Sequence, residues 1–333
     1  MARMQRSSVL PTLGLALALG TADLQAQSTA PASAAPAARP ALAPVPSNRP
    51  ALAPAPSNRP ALAPGQGKLL LTGGVSSIDG AAGGGLSPWA VIGSYATEGE
   101  LGATAFVTRA STQDYALTTY GAAIGLLDRV ELSIARQEFN ASVVVPGTTL
   151  QLDIVGVKLR VAGDAVLDAD TLMPQVAVGA QFKHVNPGPA VGGVLDSVDA
   201  KRSGIDLYLS ATKLFLAQGV LVNGTLRATK ANQNGLLGFG SADRSGYSGY
   251  SIKPELSLAW LLRRNLAIGV EVRFKPNNLA FAGAPFEEQA WKDLFVAWAP
   301  TKNVSVTAAY VDLGNIVGHQ HQTGGYVSLQ LAF

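Results

Sequence analysis

Between residues 68 and 333, apolar side chains repeatedly fall on every second position, the period of a strand with one face in an apolar medium. In the stretch 265–275, Leu266, Ile268, Val270, Val272 and Phe274 share one face, while Ala267, Gly269, Glu271, Arg273 and Lys275 share the other. Val304, Val306, Ala308 and Tyr310 repeat the pattern. So do Ile205, Leu207 and Leu209 opposite Asp206, Tyr208 and Ser210, and Val176, Val178, Ala180 and Phe182 opposite Gln175, Gln181 and Lys183. A helix would spread these residues round its circumference. The chain also ends in such a run: Gly325, Val327, Leu329, Leu331 and Phe333 alternate with Gly324, Tyr326, Ser328, Gln330 and Ala332.

These runs predict about fourteen strands, near 68–76, 89–97, 100–110, 117–126, 129–138, 150–162, 173–184, 203–216, 219–230, 249–261, 265–275, 290–299, 303–312 and 323–333. The first is diluted by Gly73 and Gly74, with Gly83 to Gly85 following, and twelve strands also fits the boundaries. Short turns at Glu98-Gly99-Glu100, Leu127-Asp128, Ala217-Gln218, Arg263-Arg264-Asn265 and Pro300-Thr301-Lys302 are interspersed with longer polar connections at 186–203 and 231–248. Short and long connections in alternation characterise transmembrane barrels. Hydrocarbon leaves no water to pair a free N–H or C=O, so a membrane-crossing sheet must close on itself. The expected fold is all-β, a transmembrane antiparallel up-and-down β-barrel. Aromatic residues should mark both interfaces: Trp260, Trp298 and Phe333 at the turn side, Phe182, Phe274 and Tyr310 at the other. The Gly-rich stretch 80–88 is expected to fold inward as a constriction.

Residues 1–26 read as a secretory signal peptide, with Arg3 and Arg6 before the short apolar run 9–20. Residues 27–67 form a Pro/Ala-rich linker in which Arg39-Pro-Ala-Leu-Ala-Pro44 recurs at 49–54 and 59–64. Such a sequence builds no core and favours extended polyproline II, so it reads as a periplasmic spacer. Leader and linker remove Arg3, Arg6, Arg39, Arg49, Arg59 and Asp23, leaving 20 basic and 21 acidic residues in 68–333. The pI of 9.1 therefore belongs to the first 67 residues and gives no argument for nucleic acid. The absence of cysteine excludes disulfides and thiolate metal sites.

Charge on the lipid face is costly, about 2–4 kcal/mol for Arg or Lys at mid-membrane. Glu131, Lys158, Arg160, Lys183, Asp206, Arg227, Lys253, Glu255, Glu271, Arg273 and Lys275 alternate with apolar neighbours and are expected to face the lumen. A three-residue turn at 263–265 would set Glu255 opposite Arg273. The glycine runs 83–85 and 235–240 lack the strand–turn–helix context of a phosphate loop. The three histidines, His184, His319 and His321, suggest at most an i, i+2 metal pair near Asp312. Ser241, Asp243 and Ser245 meeting His319 at the rim would make a lipid enzyme. Nothing in the spacing requires either arrangement. The sequence calls for no catalytic residue, metal or cofactor.

Gly80-Ala-Ala-Gly-Gly-Gly-Leu-Ser-Pro-Trp-Ala-Val-Ile-Gly93, Val155-Gly-Val-Lys-Leu-Arg160, Gly163-Asp-Ala-Val-Leu-Asp168 and Ala211-Thr-Lys-Leu-Phe-Leu-Ala-Gln218 carry a resemblance, with Thr229 to Gly240, Phe295 to Lys302 and Tyr310 to Asn315. Across 68–333 the chain resembles a proteobacterial family of outer-membrane proteins catalogued only as a domain of unknown function. The resemblance implies location and architecture and no reaction. The terminal strand resembles the sorting strand of Gram-negative outer-membrane barrels, which would make Tyr326, Val327, Leu329, Leu331 and Phe333 the signal read by the barrel-assembly machinery. The expected home is the outer membrane of a Gram-negative bacterium, with outer-membrane lipid as the surroundings and the linker in the periplasm. The leading expectation is a non-enzymatic passive channel for small polar solutes through a charged lumen. The alternative is a closed or plugged barrel acting through its outer loops, with an outer-leaflet lipid enzyme third.

Overall fold

The computed structural model describes residues 63–64, 67–166, 171–241 and 249–333. Leader and linker fall outside the described residues, apart from Ala63–Pro64, which lie parallel to Glu100–Leu101, and Gly67. Twelve long strands form one antiparallel sheet: β1 (Glu100–Thr112), β2 (Ala116–Leu126), β3 (Val130–Asn140), β4 (Thr149–Ala162), β5 (Gln175–Asn186) and β6 (Ser203–Phe215), then β7 (Val220–Thr229), β8 (Ser251–Arg263), β9 (Leu266–Arg273), β10 (Trp291–Thr301), β11 (Val304–Asp312) and β12 (Thr323–Ala332). Each pairs with its sequence neighbour, and β12 pairs with β1 from Gly324↔Thr112 to Ala332↔Thr104, closing the barrel.

The smaller of the two strand counts holds. The runs at 68–76 and 89–97 do not join the wall. Together with the Gly-rich stretch between them they form a plug, in which every residue from Val75 to Ala96 is buried. The plug's only ladder is Val75–Ser76 against Ala82–Gly83. Its alternation served the wrong partner: the segment's small residues and Trp89 pack inside the wall, where Val75, Ala82, Trp89 and Val91 cluster with Leu214, Leu221 and Phe295.

The lipid face follows the pattern. Val107, Ile134, Val155, Leu207, Leu258, Val270, Leu294 and Val327 are exposed, while their chain neighbours face inward. Trp260, Trp298 and Phe333 at one rim, and Phe182, Phe274 and Tyr310 at the other, are all exposed. The β2–β3 turn falls at Leu127-Asp128 as expected, with both residues at positive φ (57° and 52°), Arg129 N–H bonded back to Leu126 O, and Leu126 paired with Val130. Arg263 pairs with Leu266 after a bulge at Leu262, and Glu255 does stand opposite Arg273. The 186–203 connection carries a helix, α1 (Gly188–Ser197), not evident in the sequence pattern.

The lumen-only expectation for charge needs one correction. Arg136 and Asp153 form a bidentate pair (2.6 and 2.9 Å) on the outer surface, and Tyr120 donates to Glu138 beside them. All lie toward the ends of β2–β4 next to the 141–148 connection, where water and headgroups reduce the cost of charge to about 0–1 kcal/mol.

Two substitutions separate these depths. Leu258→Arg, in the middle of β8, should lower folding stability in lipid vesicles by about 2–4 kcal/mol. Arg136→Leu should change it by less than about 1 kcal/mol. Urea unfolding measures both, and similar losses would contradict this placement of the membrane.

Candidate functional site

Five successive strands each contribute one member to a ring of charges in the lumen, with alternating sign: Lys183 on β5, Asp206 on β6, Arg227 on β7, Glu255 on β8 and Arg273 on β9. Adjacent members are in contact. Lys183 reaches Asp206 at 3.0 Å, Arg227 reaches Asp206 at 3.5 Å and Glu255 at 2.5 Å, and Arg273 reaches Glu255 at 3.3 Å. The wall alone therefore carries one cation too many. Asp79 of the plug supplies the missing anion, 2.9 Å from Arg273, 3.3 Å from Lys183 and 3.9 Å from Arg227. The ring is almost dry: Lys183, Asp206 and Glu255 are fully buried and Arg227 nearly so. A charge removed from water is tolerable only with such partners.

The outer loops reach down to the same place. Residues 231–236 after β7 are buried, and Asn234, at φ 61°, donates its amide to Asp79 (2.7 Å). The carbonyl oxygen of that side chain accepts from Lys183 and Arg273, both at 2.7 Å. The glycine run 235–240 is thus part of an inserted loop. Nearby, Lys275 meets Glu288 at 3.3 Å and donates to Gln233 (2.9 Å). Burial draws the Lys275 ammonium down to about 8 and pushes the Glu288 carboxyl up, each partly offset by the other.

A second cluster fixes the plug's other end. Glu131 and Lys158, both 1 % exposed, pair across β3 and β4 at 3.1 Å. Glu131 accepts the N–H groups of Ala82 and Gly93 (3.0 and 2.8 Å), and Lys158 donates to the carbonyls of Ala82 and Val91 (2.8 and 2.9 Å). Further round the wall, Glu271 accepts Leu86 N–H (2.7 Å) and Trp89 Nε1–H goes to Ser257 (2.9 Å). Gln175 donates to Ala90 O (2.7 Å), and Ser76 to Gln330 (2.8 Å). The plug cannot satisfy its own backbone with one short ladder, so the wall does it. Close approach matters here: a Cβ on Gly84 would sit 2.1 Å from Glu271 Oε1. At the mouth beside the Leu127–Asp128 turn, Lys68 pairs with Asp128 (2.6 Å), which also holds Arg160.

All eleven charges assigned to the lumen from sequence face inward or, for Lys275, lie buried just beyond β9. Nine are buried; Arg160 and Lys253 are half-buried near opposite ends of the barrel. Tyr326 is buried, and Val327, Leu329, Leu331 and Phe333 are exposed. Sequence reading missed Asp79 and Asn234, which lie in glycine-rich segments without periodicity. The local signals were Asp79, a lone charge before the glycine-rich stretch, and the run of three amides Asn232-Gln233-Asn234.

His319 contacts Asp114 (3.0 Å) and stacks edge-on with Tyr115, whose hydroxyl burial and Asp114 push up to about 12. Asp312 pairs instead with Lys292 (3.8 Å). Ser241 donates to Asn278 O, while Asp243 and Ser245 lie outside the described residues. Among the described residues, no group of three or more His, Cys, Asp or Glu side chains is arranged to hold a metal.

No curated protein matches the chain. Among solved structures it is similar to NanC porin, with 10% identity, 69% of this chain and 98% of that one covered, and a TM-score of 0.45. KdgM porin in complex with disordered oligogalacturonate gives 10% identity, coverage of 69% and 99%, and a TM-score of 0.46. Outer membrane phospholipase A from Escherichia coli gives 12% identity, coverage of 68% and 89%, and a TM-score of 0.39. The protein is a closed antiparallel β-barrel, and a family model described as a protein of unknown function, DUF3034, matches residues 72–330, from within the plug almost to the end of β12. The chain belongs to the DUF3034 family.

Proposed function

We propose that this protein is a plugged outer-membrane channel, closed at rest by residues 67–97, whose charged wall becomes a path for small polar solutes when the plug withdraws. The observation that carries this reading is Asp79. One plug carboxylate completes the alternating ring on β5–β9, so that ring is balanced only with the plug seated. Were the plug merely filler, neither a compensating charge nor glycine contact with Glu271 would be needed. Once the plug is gone, the wall exposes Lys183, Arg227 and Arg273 against Asp206 and Glu255, a polar surface suited to hydrated solutes and not to apolar ones.

Signal-peptide cleavage after residue 26 and a periplasmic spacer at 27–67 belong to the same proposal. The plug enters from the rim where Lys68 meets Asp128, the rim bearing the short turns. The machinery that inserts the barrel is proposed to read Tyr326, Val327, Leu329, Leu331 and Phe333, the last four forming an outward row that ends at an exposed Phe. Here the chain works as a conduit, with no reaction assigned to it.

Planar-bilayer recording tests the channel. The intact protein should be silent, and deletion of residues 67–97 should give steady conductance steps, with ion selectivity shifted by Arg273→Gln. Asp79→Asn should open the intact barrel intermittently and cost about 3–5 kcal/mol of stability, because it leaves buried cations uncompensated. A steady open pore in the intact protein, or silence without the plug, would contradict the proposal. For assembly, removal of Phe333 should sharply reduce the heat-modifiable, folded form in the outer-membrane fraction; unchanged recovery would remove the sorting role.

A further inference from the structure

On the outward face of β9–β12 and β1 lies an open groove of about 520 Å³. It follows one row of paired residues: Ile268↔Val296, Val296↔Ala308, Ala308↔Val327 and Val327↔Arg109. Four strand spacings make that row about 19 Å long. It ends at Arg109, three residues from the end of β1 on the rim opposite the Leu127-Asp128 turn. The groove exists because Ala308 and Gly325 stand between larger neighbours, Leu294, Tyr310 and Val327. Gly325 has no internal reason to lack a side chain. Elsewhere in the wall, a Cβ on Gly179 or Gly269 would lie 2.2 or 2.5 Å from the ring of Tyr208 or Phe295. On Gly325 it would meet nothing closer than Ala309 O, at 3.9 Å. Glycine inside a strand weakens it and often marks close approach by a ligand.

The rim end of the groove is polar. Arg109 is exposed, donates to Thr118 Oγ1 (2.5 Å) and takes part in no ion pair among the described residues. Ser111 and Tyr310, both exposed, line the same end. Lys292 and Asp312, the other charged side chains on the outward face of β10–β12 and β1, pair with each other (3.8 Å). Glu138, beyond Thr118 in register, is held by Tyr120 Oη (3.1 Å). Arg109 is thus left without an anionic partner. A second open groove on the wall, about 580 Å³ over β4–β8, has no charged side chain in its lining. Hydrocarbon can fill either groove, and the one ending at Arg109 also selects a headgroup.

We propose that the groove from Ile268 to Arg109 is a binding site for a lipid with an anionic phosphate headgroup. The phosphate meets the Arg109 guanidinium, whose forked N–H groups match its oxygens, with the Ser111 and Tyr310 hydroxyls as further donors. One acyl chain lies over Ala308 and Gly325. The site rests on the reading of the barrel as membrane-spanning, with this rim at the level of the headgroups.

Native mass spectrometry of the full-length protein in detergent tests this. The probes are dimyristoylphosphatidic acid, dimyristoylphosphatidylcholine (the same chains, with choline balancing the phosphate) and inorganic phosphate. Phosphatidic acid should bind at least tenfold more tightly than phosphatidylcholine, and excess inorganic phosphate should not displace it. Arg109→Gln should abolish that preference. Gly325→Leu, which fills the groove and keeps Arg109, should weaken phosphatidic acid at least tenfold while the barrel stays heat-modifiable. Ala180→Leu, which fills the β4–β8 groove, should leave binding unchanged. Equal binding of the two lipids, or displacement by inorganic phosphate, would overturn the proposal. So would a lipid-free dimer abolished by Gly325→Leu, which would make the groove an interface between two copies. A folded barrel that stays dispersed in water without detergent overturns the membrane reading, whereas a detergent-requiring barrel without lipid preference overturns this site alone.

Discussion

Closing a sheet in lipid traps its inner face away from water, and every charge on that face then needs a partner from inside. This requirement governs the molecule. The wall alternates sign over five strands and is left one anion short, and Asp79 provides it from a segment that is not part of the wall. Losing one member of so dry a network costs several kcal/mol. The exposed Arg136–Asp153 pair on the outer surface contributes at most about 1 kcal/mol. The interior network, not the surface pairs, therefore decides which conformation the barrel holds.

The same requirement explains the plug's composition. A segment that folds inside a barrel has little room for side chains and few neighbours of its own to bond. Gly84 lets the backbone lie against Glu271, and wall side chains such as Glu131, Lys158, Gln175 and Thr212 take up the plug's N–H and C=O groups. The outer loop bearing Asn234 closes the network from the other side. Plug and loop thus meet at one set of charges, which couples the two faces of the barrel.

Much of this was legible in the chain. The period-two runs place Val270 outside and Glu271 inside without reference to any partner, because a strand's faces are set by local geometry. The Leu127-Asp128 hairpin and the Glu255–Arg273 pairing also follow from local rules. The plug did not: residues 68–76 and 89–97 alternate as strands do, and only the global count of partners decides whether a run joins the wall or fills the lumen. Asp79 and Asn234 were invisible for the same reason, since their roles arise from contacts 39 to 194 residues away in sequence. Glycine enrichment across 80–88 was the one local hint, and it pointed inward correctly.

The position of residues 67–97 inside the barrel is the claim on which the rest depends, and the lack of native cysteine makes it directly measurable. Ser76 of the plug and Gln330 of the last strand are 2.8 Å apart through their side-chain oxygens. The double variant Ser76→Cys, Gln330→Cys should be joined in outer membranes by a short bis-methanethiosulfonate cross-linker, which bridges cysteines too far apart for a direct disulfide, seen as a mobility shift reversed by reductant. A folded barrel in which these cysteines stay unlinked would contradict the account.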